Sequence, residues 1–129
     1  MAGNSQVVEK MHKFRILLAV ALLALSAAPV FAHAFPDHAQ PAIGSTVSPS
    51  PTELRIWYTQ KIEPAFSKIE VHDASGARVD QGDAKVDAQD PSLLRVSLKP
   101  LTPGAYKVDW HVVSVDTHPT EGNFTFTVK

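Results

Sequence analysis

Alternation at period two marks five segments from residue 54 onward: Leu54-Arg55-Ile56-Trp57-Tyr58, Lys68-Ile69-Glu70-Val71-His72, Leu94-Arg95-Val96-Ser97-Leu98, Tyr106-Lys107-Val108-Asp109-Trp110 and Phe124-Thr125-Phe126-Thr127-Val128. Each repeats at period two and is rich in β-branched and aromatic residues, so each predicts a strand with one face for a core and one for water. Turn-forming clusters separate them: Ser48-Pro49-Ser50-Pro51, Ala74-Ser75-Gly76, Asp90-Pro91, Lys99-Pro100 and Pro103-Gly104. Short strands at this spacing in about a hundred residues predict an all-β domain, a small antiparallel sandwich. Ala39 to Val47 reads as an extended first strand with a turn at Ile43-Gly44-Ser45, and Gln81 to Ala88 as a polar, mobile loop.

The first 32 residues follow another pattern. Lys10, His12, Lys13 and Arg15 precede an uncharged apolar run from Ile16 to Leu25, and Ser26 to Ala32 is rich in small residues, with Pro29 as a helix breaker. This is the layout of a secretory signal peptide, with cleavage after Val30-Phe31-Ala32. A membrane anchor would need about 18 or more apolar residues, and here Pro36, Asp37 and His38 follow soon after the run. The expected organisation is a cleaved signal peptide at 1–32 and a single domain at 33–129, exported to a bacterial periplasm. Met11 to Ala32 is by itself a complete signal, so translation could begin at Met1 or at Met11.

Removing residues 1–32 takes Lys10, Lys13, Arg15 and Glu9, and leaves a mildly acidic domain without any basic run. That excludes nucleic acid as an expected partner. The chain has no cysteine, and its two methionines, Met1 and Met11, both lie in the removed segment. A metal bound by the mature domain must therefore be held by nitrogen and oxygen, without the sulfur donors that suit copper(I).

Two stretches carry candidate chemistry, and they lie at opposite ends of the domain. Cleavage after Ala32 would make His33 the amino terminus, where the free α-amine and the imidazole Nδ1 can close a chelate ring on one ion. The second stretch runs from Trp110 to Pro119 and contains Asp116-Thr117-His118. At an i, i+2 spacing in extended chain both side chains leave the same face, so Asp116 and His118 can converge on one ion. With His33 they would give three nitrogens and one or two oxygens, a set that suits copper(II) and that zinc would accept in tetrahedral form. The plainer reading of such a dipeptide is a turn carboxylate beside a solvated histidine. The chain has six histidines. His12 falls in the signal and His72 reads as an exposed strand end. His38 reads as a surface residue or a further ligand, and His111 as a surface residue or a neighbour of the ligands.

The residues at both ends resemble a known family. His33-Ala34-Phe35, Pro41-Ala42-x-Gly44-Ser45-x-Val47 and Ser50-Pro51-x-x-Leu54 open the domain, and Leu101-Thr102-Pro103-Gly104-x-Tyr106-x-Val108-x-Trp110-x-x-Val113-Ser114-x-Asp116-x-His118, then Gly122 and Phe124-x-Phe126-x-Val128, close it. This pattern is similar to the CopC/PcoC (YobA-like) family of periplasmic copper-resistance proteins, over essentially all of residues 33–129. The resemblance implies a Greek-key β-sandwich or barrel, cupredoxin-like or immunoglobulin-like, that binds one copper(II) per chain through His33, Asp116 and His118. It implies a carrier for copper resistance or homeostasis, monomeric and without catalysis, and an inner-membrane copper transporter of the CopD type as partner. Some members add a methionine-rich copper(I) site, which this domain has no residues to build. Gln60 stands where the family often has Glu, and His38 where many members have Ser.

The physics of the expected site is simple. An amine and two imidazoles are strong equatorial donors for copper(II), and the carboxylate offsets part of the charge. A rigid sandwich would hold Asp116 and His118, and a flexible terminus would close over the ion. A histidine brace on a β-sandwich also serves copper monooxygenases, which is the rival reading. It would call for an exposed aromatic face, whereas Trp57, Tyr58, Tyr106 and Trp110 all sit on predicted strands. A metal-free adhesive sandwich would leave the two ends of the domain unrelated.

Overall fold

The computed structural model describes residues 3–24 and 33–129, with side chains in the first segment described for residues 4–15. The chain divides into two units, Met1–Phe31 and Ala32–Lys129. Among the described residues the first contains one helix, α1 (Gly3–Ala24), which carries the basic residues and the apolar run as far as Ala24. No helix among the described residues is long and apolar enough to cross a membrane. The expected cleavage signal Val30-Phe31-Ala32 lies outside the described residues.

The second unit is a β-sandwich built from β1 (Pro36–Gln40), β2 (Thr46–Val47), β3 (Glu53–Tyr58), β4 (Lys68–Asp73), β5 (Lys85–Val86), β6 (Leu93–Ser97), β7 (Gly104–Val113) and β8 (Pro119–Val128). One sheet has the order β1-β3-β6-β5 and the other β2-β8-β7-β4. All neighbours pair antiparallel except β2 and β8, which run parallel. The alternation seen in the sequence turns one face of every long strand inward. Leu54, Ile56 and Tyr58 meet Leu94 and Val96 on one side of the core, and Ile69, Val71, Tyr106, Val108, Trp110, Val112, Phe124, Phe126 and Val128 form the other.

Three expectations change. Ala39 to Val47 is not one strand: β1 ends before Pro41, which has no N–H for a ladder, and a turn through Gly44 (φ 72°) carries the chain to β2 in the opposite sheet. Gln81 to Ala88 contains the edge strand β5, paired with β6, and is tied down by Asp83, which accepts from the Ser97 N–H at 2.9 Å. Two-residue strands are too short to show an alternation, which is why the pattern misses them. The third change extends β7 and β8 to ten residues each. Gly122 in β8 sits opposite Trp110, and a Cβ there would stand 2.7 Å from the indole Cζ2. The missing side chain makes room for the largest aromatic of the core.

Candidate metal centre

β7 leaves the sheet at Val113 and β8 begins at Pro119, so Ser114–His118 forms the tip of a hairpin. Main-chain bonds close it: the Ser114 N–H donates to the His118 carbonyl at 3.1 Å and the Thr117 N–H to the Ser114 carbonyl at 2.8 Å. The chain turns by placing Thr117 at φ 71°, the left-handed region that a β-branched residue rarely adopts. Strain of that kind recurs at functional sites, held by the structure around it. Ser114 itself is buried and bridges to Ile62, and the Val115 N–H donates to the Lys61 carbonyl at 3.1 Å. The tip is therefore anchored to the segment after β3.

This turn brings Asp116 and His118 together, with Asp116 Oδ1 3.3 Å from His118 Nδ1. The Ser114 hydroxyl donates to the same Oδ1. That hydrogen bond, helped by the neighbouring imidazole and opposed by partial burial, holds the Asp116 carboxyl below the usual carboxylate range. The group is an exposed anion at neutral pH, suited to meet a cation.

The start of the domain reaches the same place. Ala34 is fully buried, and its carbonyl accepts from Thr120 Oγ1 at 2.6 Å across 86 residues of sequence. Thr59, just after β3, accepts from the Phe35 N–H at 3.1 Å and donates to the His33 carbonyl at 3.3 Å. Its own N–H donates to the Phe35 carbonyl at 2.9 Å. Thr59, just beyond β3, and Thr120, in β8, thus stitch the segment across the end of the sandwich. The His33 ring comes to rest against the His118 ring, with centroids 4.9 Å apart and planes at 79°, and the Phe35 ring lies 6.3 Å away. The segment expected to be a flexible terminus is tied down from residue 33 onward, because its backbone polar groups find partners and Ala34 fills a core position.

All three residues singled out in the sequence meet at one end of the fold. Among the described residues no three His, Cys, Asp or Glu side chains are already gathered at ligating geometry. The arrangement is two imidazoles in edge contact and one adjacent carboxylate, with the His33 nitrogen in peptide linkage to Ala32. The nitrogen and oxygen donors fit copper(II), and the α-amine that cleavage after Ala32 would free supplies one donor more.

The other histidines are engaged elsewhere. His38 stacks on Trp57 at 4.4 Å with the rings 11° apart, and its Nδ1 lies 2.8 Å from Asp37 Oδ2. His111 lies on the β7 face turned away from the core, opposite Lys68 and Glu121. His72 is no exposed strand end: it is half-buried in β4 between Glu70, at 3.8 Å, and Asp109, at 3.5 Å. Tyr58, Tyr106 and Trp110 are core residues, whereas Trp57 is half-buried and carries the His38 ring on its face. Thr59, Thr120 and the role of Ser114 escaped the sequence. Only Ser114 had a local signal there, a hydroxyl two residues before an aspartate.

A family model described as the CopC domain matches residues 37–129. The chain belongs to the CopC domain family. The match begins at Asp37, so His33 stands just outside it. Protein YobA of Escherichia coli K12 is 37% identical over 119 residues, covering 92% of this chain and 96% of that protein. Among solved structures, CopC from Methylosinus trichosporium OB3b superposes with a TM-score of 0.70 at 35% identity, covering 75% of this chain and 94% of that one. PcoC from Escherichia coli, described as a methionine-rich copper resistance protein, gives 0.65 at 32% identity, covering 76% and 100%. The described CopC-family domain here has no methionine at all.

Proposed function

We propose that residues 33–129, released from a signal peptide at 1–32, are a periplasmic copper(II) carrier that serves copper resistance or homeostasis without catalysis. The observation that carries this reading is the meeting of the His33 and His118 rings at 4.9 Å beside Asp116, from opposite ends of the domain. Copper is cargo here. The His33 amine and Nδ1 would chelate the ion, a His118 ring nitrogen would supply the third nitrogen, and Asp116 would supply charge. One ion per chain follows from one such end per sandwich.

The absence of thioether and thiol side chains from residues 33–129 favours a site for copper(II) alone. A carrier needs its cargo reachable, and His33 and Asp116 are both exposed. Phe35 and Val115, beside them in sequence, are also exposed apolar side chains, 54% and 52% accessible. That surface suits transfer to a CopD-type transporter at the inner membrane by a monomeric donor.

Electron paramagnetic resonance of the exported, copper(II)-loaded protein tests the assignment. His118→Ala should remove one imidazole nitrogen from the spectrum and weaken binding; an unaltered spectrum would sink it.

A further inference from the structure

The copper reading uses Asp116 and His118 and leaves the buried Ser114 hydroxyl without a part. Resting on that reading, we propose that Ser114 is a positioning residue of the copper centre: its hydroxyl fixes where the Asp116 carboxylate and the His118 main chain stand, and so sets the affinity for the ion. Ser114 is 1% exposed. Its Oγ donates to Asp116 Oδ1 and accepts from the His118 N–H at 3.2 Å.

A purely structural role is a poor account of this hydroxyl. The loop is already closed by main-chain bonds, from the Ser114 N–H to the His118 carbonyl and from the Thr117 N–H to the Ser114 carbonyl. Alanine would keep both. The His118 carbonyl also lies 3.2 Å from Ser114 Oγ, but a hydroxyl has one proton to give. That carbonyl already accepts from the Ser114 N–H, and the ionised carboxylate is the stronger acceptor. The proton therefore belongs to Asp116.

The consequence is an oriented carboxylate. Its contacts with Ser114 and with the His118 ring both run through Oδ1, so neither uses Oδ2, which is left for an incoming ion. One buried hydroxyl thereby couples the two donors contributed by the hairpin tip. Groups that orient metal ligands in this way typically change affinity by roughly ten- to a hundredfold when removed.

The test uses exported protein whose amino terminus is verified as His33 by mass spectrometry, loaded with copper(II) alone. Four variants are compared by competition against a chelator and by electron paramagnetic resonance: Ser114→Ala, Ser114→Thr, His118→Ala and Asp80→Asn, the last destabilising the domain away from the site. Ser114→Ala should bind copper(II) about tenfold or more weakly, with a shifted copper hyperfine splitting. Ser114→Thr, which keeps the hydroxyl, should recover the parental spectrum, and Asp80→Asn should keep both affinity and spectrum. Parental affinity and spectrum in Ser114→Ala overturn the proposal, as does an equal loss in Asp80→Asn, which would make it a stability effect. Unchanged binding in His118→Ala would instead remove the copper reading on which the proposal rests.

Discussion

Two aspartates organise loops in this domain, and they do so in opposite ways. Asp80, whose side chain is fully buried, accepts from the N–H groups of Val71 and Gly82, both at 2.9 Å, and from Arg78 Nε at 2.9 and 3.1 Å. Asp116 is exposed and is held through one oxygen by Ser114 and His118. A carboxylate with every lone pair engaged and a guanidinium beside it is finished as a structural part. One held in place by a single oxygen is oriented and still able to bind. The difference lies in how many partners the backbone supplies, since the residue type is the same.

Acidity should separate the two most sharply. Burial by itself would raise the Asp80 carboxyl, but the Arg78 bond and the two N–H donors outweigh it and hold it below the usual range. Burial likewise opposes, and Arg55 and Arg95 overcome, in lowering Glu53. A carboxyl lowered by folding stabilises the fold above its ordinary titration range, and that stability is lost as the pH falls through the lowered value. The domain should therefore stay folded to about pH 4 and unfold below it. Copper binding through an amine and imidazoles competes with protons at much higher pH, because free groups of these kinds titrate near 7.7–8 and 6.5. Copper(II) affinity should weaken as the pH falls from neutral, before the fold is lost, while circular dichroism remains native. Joint loss of metal and fold along one acid titration would contradict the division.

Asp80→Ala should then cost stability and spare the metal. It leaves the buried Val71 N–H without its acceptor, at a cost of about 3 kcal/mol. Denaturant unfolding measures the loss, and copper(II) affinity at 20 °C should stay within twofold of the parent. A large change in affinity would mean that the two loops are coupled.

An extra residue ahead of His33 should do the reverse. Thr59 and Thr120 hold the segment in this chain even though Ala32 precedes His33, so extension leaves the fold intact. It converts the α-amine to an amide, and copper(II) affinity should fall more than tenfold, at least about 1.4 kcal/mol. Equal affinity in the extended protein would show that the amine takes no part.

The same contrast explains what the sequence could show. β3, β4, β6, β7 and β8 were legible because each buries one face, and a period of two survives in the letters. His33, Asp116 and His118 could be named as candidates because chemistry restricts the residue types a metal accepts. Their support was not. Thr59 and Thr120 act on backbone carbonyls 26 and 86 residues away, and such bonds leave no local signature. Asp80 carries no local signal either, since only the fold encloses it.

Thr117 gives the smallest effect and the finest test. Its φ of 71° costs a β-branched residue energy that glycine would not incur. Glycine also adds freedom to the unfolded chain, worth about 0.5–1 kcal/mol against folding. The two terms oppose, so Thr117→Gly should change stability by less than about 1 kcal/mol in either direction. Copper affinity should still fall by a few-fold, because a glycine between Asp116 and His118 loosens the one turn that aligns them. Calorimetric unfolding and chelator competition on the same sample check both halves. An unchanged affinity would mean that Ser114 alone fixes the pair, and that the left-handed turn is a consequence of the alignment and no part of its cause.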